Sequence, residues 1–103
     1  MDKLYLGTLD YRNNQNYSKI HEVRIRFETD NMYAIDSNIT KRERIRKDLL
    51  NVNLKHRFDF VMFSESKEFL IEQMREYVSD EIDRVNKRIL DLQSNFENVL
   101  NEN

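Results

Sequence analysis

Two histidines, His21 and His56, are the side chains of this sequence that titrate nearest neutrality. Glu22 adjoins the first, Asp59 follows the second and Asp10 lies upstream, so a divalent metal or an acid–base pair is the first chemistry to consider. The spacing does not carry it, because a metal-binding helix sets two histidines four residues apart around a glutamate and nothing of that kind occurs. Both histidines instead fall at predicted strand starts. Carboxylates also pair along the last third of the chain, Glu72 with Glu76 and Asp80 with Glu81. They belong to a segment, residues 64–103, with ten acidic and five basic side chains, which reads as a solvated helix face. The one glycine, Gly7, leaves no phosphate-cradling loop, dinucleotide fingerprint or nucleophile elbow. With no cysteine there is neither a disulfide nor a thiolate metal site. The sequence thus assigns no catalytic residue, no metal ligand and no cofactor, and the expected activity is non-enzymatic binding.

The stronger polar feature is a run of cations. Residues 40–57 carry Lys41, Arg42, Arg44, Arg46, Lys47, Lys55 and Arg57 against Glu43 and Asp48, a net of +5 in a chain whose total is −2. Such a patch suits an acidic protein surface or the phosphates of a nucleic acid, or it pairs with the acidic helix of another copy. No known nucleic-acid module fits. The aromatic stretch RFDFVMF (residues 57–63) lacks the glycines of the ribonucleoprotein sheet motif, and its phenylalanines are better used as core. A second contact candidate is the polar segment 10–18, where Tyr11, Arg12 and Tyr17 flank four amide side chains. Tyrosine and arginine are the side chains that anchor binding surfaces. The expected target-binding residues are therefore Lys41, Arg42, Arg44, Arg46, Lys47, Arg57, Tyr11, Arg12 and Tyr17.

These residues need a scaffold, and its dominant part is a helix. Residues 65–100 contain neither proline nor glycine. Within them Val78, Ile82, Val85, Ile89, Leu92, Phe96 and Val99 follow a 4-3-4-3-4-3 spacing, the seam of a coiled coil. Between Leu70 and Val78 the apolar stripe is broader and suits packing on a sheet. Ser64 is the expected N-cap, with Glu65 and Glu68 in the first turn. Ser94 and Glu97 match a capping box, but the seam holds its phase past them. Thirty-six residues at 1.5 Å each make a rod of about 54 Å, against about 20 Å for an ordinary strand. A large part of the seam must therefore meet another partner, and a homodimer is the default.

The remaining elements follow from alternation and turn chemistry. Residues 3–11 predict a first strand with Leu4 and Leu6 on one face, and residues 12–19 a loop. Residues 22–28 predict a strand with Val23, Ile25 and Phe27 on one face and Arg24, Arg26 and Glu28 on the other. Thr29, Asp30 and Asn31 form a turn returning into a short strand, 32–36. Thr40 and Glu43 match a capping box, which predicts a short basic helix of about ten residues. Residues 57–63 predict a last strand with Phe58, Phe60 and Met62 inward.

The expected fold is α+β: a small antiparallel sheet of about four strands, a short basic helix, and a long C-terminal helix whose distal half projects. It is a single domain of 103 residues, with sheet and short helix in 1–63 and the long helix in 64–100. No stretch reaches the roughly 18 apolar residues that span a membrane, and residues 1–3 do not lead into a signal peptide, so a cytoplasmic location is expected.

The usage of residues, rich in Asn, Ile, Lys, Tyr and Phe with one alanine and no proline or tryptophan, is typical of AT-rich coding DNA. Together with the hairpin EVRIRFETDNMYAI, the stretch ITKRERIRK and the helix FSESKEFLIEQMREYVSDEIDRVNKRILDL, it gives a chain that resembles the small accessory proteins of phages and prophages of low-GC bacteria. The resemblance implies stoichiometric inhibition of a host or defence complex, protein or ribonucleoprotein, as anti-CRISPR and anti-restriction proteins do. Many such inhibitors are acidic DNA mimics, whereas this chain has a basic centre, so it departs from that pattern. The alternative is a small nucleic-acid-binding regulator using residues 41–57.

Overall fold

The computed structural model describes residues 2–12, 16–36, 38–55 and 58–102. Five strands, β1 (Lys3–Asp10), β2 (Tyr17–Glu28), β3 (Met32–Ile35), β4 (Arg44–Arg46) and β5 (Phe60–Ser64), precede one helix, α1 (Lys67–Asn101). The strands form an antiparallel sheet in the order β4-β3-β2-β1-β5. The class is α+β, as the sequence implies, with five strands rather than about four.

The central ladder is longer than the sequence suggests. β1 pairs with β2 over its whole length, from Lys3 opposite Arg24 to Asp10 opposite Tyr17. Residues 17–19, read as loop, therefore belong to β2. Polar side chains hid this extension, because all four positions from Tyr17 to Ile20 are exposed and give no alternation.

Each face of the sheet is covered differently. On one face Leu4, Leu6, Val23, Tyr33, Ile35, Ile45, Val61 and Phe63 form the main core, over which Leu49, Leu50, Leu54 and Phe58 fold from the segment between β4 and β5. That segment also shields the outer edge of β5. The amides of Asn51 and Leu54 donate to the carbonyls of Phe63 and Val61, each at 2.7 Å, so the edge is not left open to other strands. Asn51 makes the bend with φ of 61°, a conformation that asparagine tolerates.

On the other face α1 lies across β1 and β5. Leu70 and Met74 are buried there against Phe60 and Met62, with Tyr5, Leu9 and Tyr77 at the margin. Gly7 makes the approach close: a Cβ at that position would stand 2.6 Å from Met74 Sδ and 2.9 Å from Leu70 Cδ1. β5 is buried on both faces, so its inward residues divide: Phe60 and Met62 meet the helix while Val61 and Phe63 fill the main core. The predicted inward triad of Phe58, Phe60 and Met62 is corrected accordingly, since Phe58 precedes the strand and packs on the main core.

Three further corrections follow. A register shift between Ile25 and Phe27 adds one residue to β2, which turns Phe27 off the core face and leaves it 50% exposed. The expected basic helix is reduced to one 3-10 turn, Lys47–Leu49, and the residues before it form the edge strand β4. Thr40 Oγ1 accepts from the Arg42 amide at 3.2 Å and the Glu43 carbonyl accepts from the Ile35 amide at 2.9 Å; a local turn thus takes up Thr40 and pairing with β3 takes up Glu43, while Ile45 alone supplies the burial. The cap of α1 is Ser66 rather than Ser64, its Oγ accepting from the Phe69 amide at 3.1 Å, because Ser64 is already buried as the last residue of β5. α1 then runs unbroken past Ser94.

Candidate partner-binding surfaces

Burial on α1 stops abruptly. Leu70 and Met74 are its buried residues, and every described residue from Ile82 onward is exposed. Twenty helical residues, about 30 Å, thus extend beyond the sheet in a molecule of 68 × 22 × 19 Å. All seven seam residues lie on this rod or at its root, with exposures from 37% at Val85 to 68% at Leu92. Helices in proteins draw most of their stability from packing an apolar face, yet every described residue of this rod is exposed. Val78, Ile82, Val85, Ile89, Leu92, Phe96 and Val99 are therefore brought into one continuous line, as their spacing implies.

The root of the rod is fixed by polar contacts. The Tyr11 hydroxyl donates to a Glu81 carboxylate oxygen and accepts from Arg84 Nη2 at 2.7 Å. Arg84 also donates to Glu81 at 2.7 Å. These partners hold the Glu81 carboxyl below the ordinary carboxylate range, Arg84 first and Tyr11 second. The carboxylate in turn raises the pKa of the Tyr11 phenol. Beside them the Tyr77 hydroxyl is pushed up to about 12, chiefly by burial and then by the charge of Glu81. The sequence gives no sign of this network, since Tyr11 and Arg84 are 73 residues apart.

An apolar groove of about 440 Å³ separates the β1–β2 hairpin from α1; Tyr11 and Tyr17 line one wall, Val78, Ile82 and Val85 the other. A second hollow adjoins it, with Lys19, Ile20, Ile71, Arg75 and Val78 in its lining. Three seam residues thus belong to a groove as well as to the rod.

The other expected contact residues are dispersed. Tyr17 is stacked on Phe58, ring centroids 5.3 Å apart and planes 16° apart. Arg12 Nε is 2.8 Å from an Asp59 oxygen, which ties the hairpin to the turn before β5. The cations of the central run divide as well. Lys47 lies over the Tyr33 ring and 2.6 Å from Glu28, and this pairing raises the lysine pKa and lowers that of the glutamate. Arg46 is 2.5 Å from Asp48. Lys41, Arg42 and Arg44 have no ion pair among the described residues. Lys41 and Arg42 border a third hollow, together with Thr8 and His21. The Thr8 hydroxyl is buried there without a hydrogen-bond partner among the described residues, and burial lowers the His21 pKa. Arg57 and His56 lie outside the described residues.

A further exposed surface lies on the sheet itself. The register sets Phe27 opposite Ala34 and Ala34 opposite Arg44, and Lys3 opposite Arg24. These positions occupy the helix side of the sheet, on β2, β3 and β4 and at the start of β1, beyond the part that α1 packs on. Alternation already placed Arg24 away from the core, but only the bulge moves Phe27 over to join it.

Among the described residues no three histidine, aspartate or glutamate side chains converge on a point. No helix among them is long and apolar enough to cross a membrane. No protein-family model matches this sequence, and no curated protein or solved structure matches it significantly.

Proposed function

We propose that this chain is a non-catalytic binding protein that works as a homodimer. One observation carries the reading: seven apolar side chains at coiled-coil spacing stand exposed along a helix that leaves its own sheet behind. Association through that stripe removes apolar surface from water and gives the rod the apolar packing that stabilises helices. The partner-facing surface is then the sheet edge with Lys41, Arg42 and Arg44 and the uncovered face with Arg24 and Phe27. These groups suit an acidic macromolecule. By its likeness to phage accessory proteins, that macromolecule is a host or defence complex met in the host cytoplasm, and the mode of action is stoichiometric inhibition.

A nucleic-acid reading is favoured by one observation, the exposed Phe27 ring on a face bordered by arginines. Aromatic faces among cations bind single strands by stacking and charge.

Light scattering tests the assembly: twice the mass of one chain is expected, and a monomer at tens of micromolar would sink the reading. Ile89→Asp with Phe96→Asp should give soluble monomers of unchanged fold, because the dimer would bury unpaired charges. A tagged pull-down from low-GC bacterial lysates, with and without nuclease, separates the two targets. A dominant nuclease-resistant complex supports the inhibitor reading. A broad nuclease-sensitive set of captured proteins moves the assignment to nucleic acid.

A further inference from the structure

The groove beside the β1–β2 hairpin and the seam share Val78, Ile82 and Val85. Resting on the homodimer reading, we infer that the two helices pair antiparallel and that the last turn of each docks in the groove of the other.

The side chains of the seam favour this direction. Ile82, Ile89 and Phe96 alternate along it with Val85, Leu92 and Val99. A parallel pair stacks every residue on its own copy, so two Phe96 rings would share one layer, flanked by a layer of leucines at Leu92 and a layer of valines at Val99. It would also set valine at positions where parallel dimers prefer leucine. An antiparallel pair with its twofold axis between Leu90 and Asp91 faces Ile82 with the partner's Val99. It faces Val85 with the partner's Phe96, and Ile89 with the partner's Leu92. The Ile82 and Phe96 layers then each join a larger side chain to a valine, and the Ile89 layer joins two of equal size, which fills the interface evenly.

The body of the protein points the same way. Where Val78, Ile82 and Val85 face outward, the hairpin residues Leu9, Tyr11 and Tyr17 stand beside them as the opposite wall. A parallel pair would bring a second hairpin into the space of the first. An antiparallel pair brings instead the far end of the partner's α1, with the partner's Phe96, Val99 and Leu100. Leu100, 53% exposed and outside the seam spacing, gains a site there.

Charge completes the fit. The last turn of α1 contains no basic residue, so its carbonyl end, the negative pole of the helix, has no cation of its own. Arg75 stands three residues before Val78 and continues the seam spacing, and it lines the adjoining hollow with Lys19. Neither has an ion pair among the described residues. The antiparallel register aims each C-terminal end at these two cations.

The chain has no cysteine, so single thiols report on direction without interference. Ile82→Cys and Val99→Cys proteins, each confirmed as a dimer by light scattering and folded by circular dichroism, are mixed in equal amounts, oxidised and weighed by mass spectrometry. The antiparallel pair predicts the mixed 82–99 disulfide at roughly tenfold or more over either self-linked product. Self-linked dimers from each variant alone would overturn the direction while leaving the homodimer intact, as would a dimer that yields no mixed disulfide. A monomeric mass for the unsubstituted chain would overturn both. Arg75→Glu is expected to raise the dimer dissociation constant about tenfold with the fold unchanged; an unaltered constant would overturn the docking of the helix end.

Discussion

Arg84 donates a hydrogen bond to the Tyr11 hydroxyl at 2.7 Å and so ties the end of β1 to the midpoint of the helix. The contact sits one turn past Glu81, the last half-buried position of α1. It joins the hairpin to the helix beside the groove that Tyr11 and Glu81 line.

Removing that hydroxyl should loosen the joint without touching the core. Tyr11→Phe is expected to cost about 0.5–1.5 kcal/mol, read from urea unfolding. Amide exchange between residues 78 and 84 should quicken more than exchange in β1 or β5. Uniform acceleration would mean that Tyr11 supports the whole sheet instead.

Acid should act through the same joint. The Glu81 carboxyl is held below its ordinary value of 4.5, by Arg84 and then by Tyr11. Lowered in the folded state, it contributes stability that is present above pH 4.5 and is lost as the pH falls through the folded value. Both partners are partly solvated, so the loss is small, about 0.5–1 kcal/mol. Glu81→Gln should flatten this part of the stability–pH curve, measured by urea unfolding between about pH 5 and about pH 3.

Gly7 should resist enlargement. A methyl group there meets Met74 Sδ and Leu70 Cδ1 inside ordinary contact distance. Both can shift, so Gly7→Ala is expected to cost about 1–3 kcal/mol, visible as a lower thermal midpoint. A β-branched residue such as Val should cost more and displace the helix, seen as chemical-shift changes along Leu70, Met74 and Tyr77.

Charge reversal should distinguish contact residues from structural ones. Arg42→Glu with Arg44→Glu is expected to leave the thermal midpoint within about 0.5 kcal/mol equivalents of the parent, because neither arginine has an ion pair among the described residues. Retention of the captured target in a pull-down should fall at least tenfold. Lys47→Glu, by contrast, sets two acids side by side with Glu28 and should lower the midpoint.

Most of the scaffold was legible from residue order. The 3–4 spacing from Leu70 to Val99 needs only helical geometry to become a stripe, and the same count shows where a sheet-packing face narrows to a seam. Leu4 and Leu6, Val23 and Ile25, and the turn at residues 29–31 read equally well, because strand alternation and turn chemistry are local. Failures came where a partner strand decided the outcome. Thr40 and Glu43 have the form of a helix cap, yet β3 offered the segment backbone partners and one buried site for Ile45, and an edge strand resulted. Tyr17 to Ile20 show no alternation, yet β1 runs alongside and pairs with them.

The candidate surfaces divide along the same line. The sequence by itself determined that an apolar seam exists, that it outruns any sheet this chain can build, and that cations gather in its centre. Only the tertiary structure decided that Lys47 and Arg46 are held in ion pairs, that Phe27 turns outward, and that Tyr11 reaches Glu81 and Arg84. Periodicity is a property of neighbours along the chain, so order alone carries it. Ion pairing, groove width and the facing of a bulged strand depend on residues tens of positions apart, which only folding brings together.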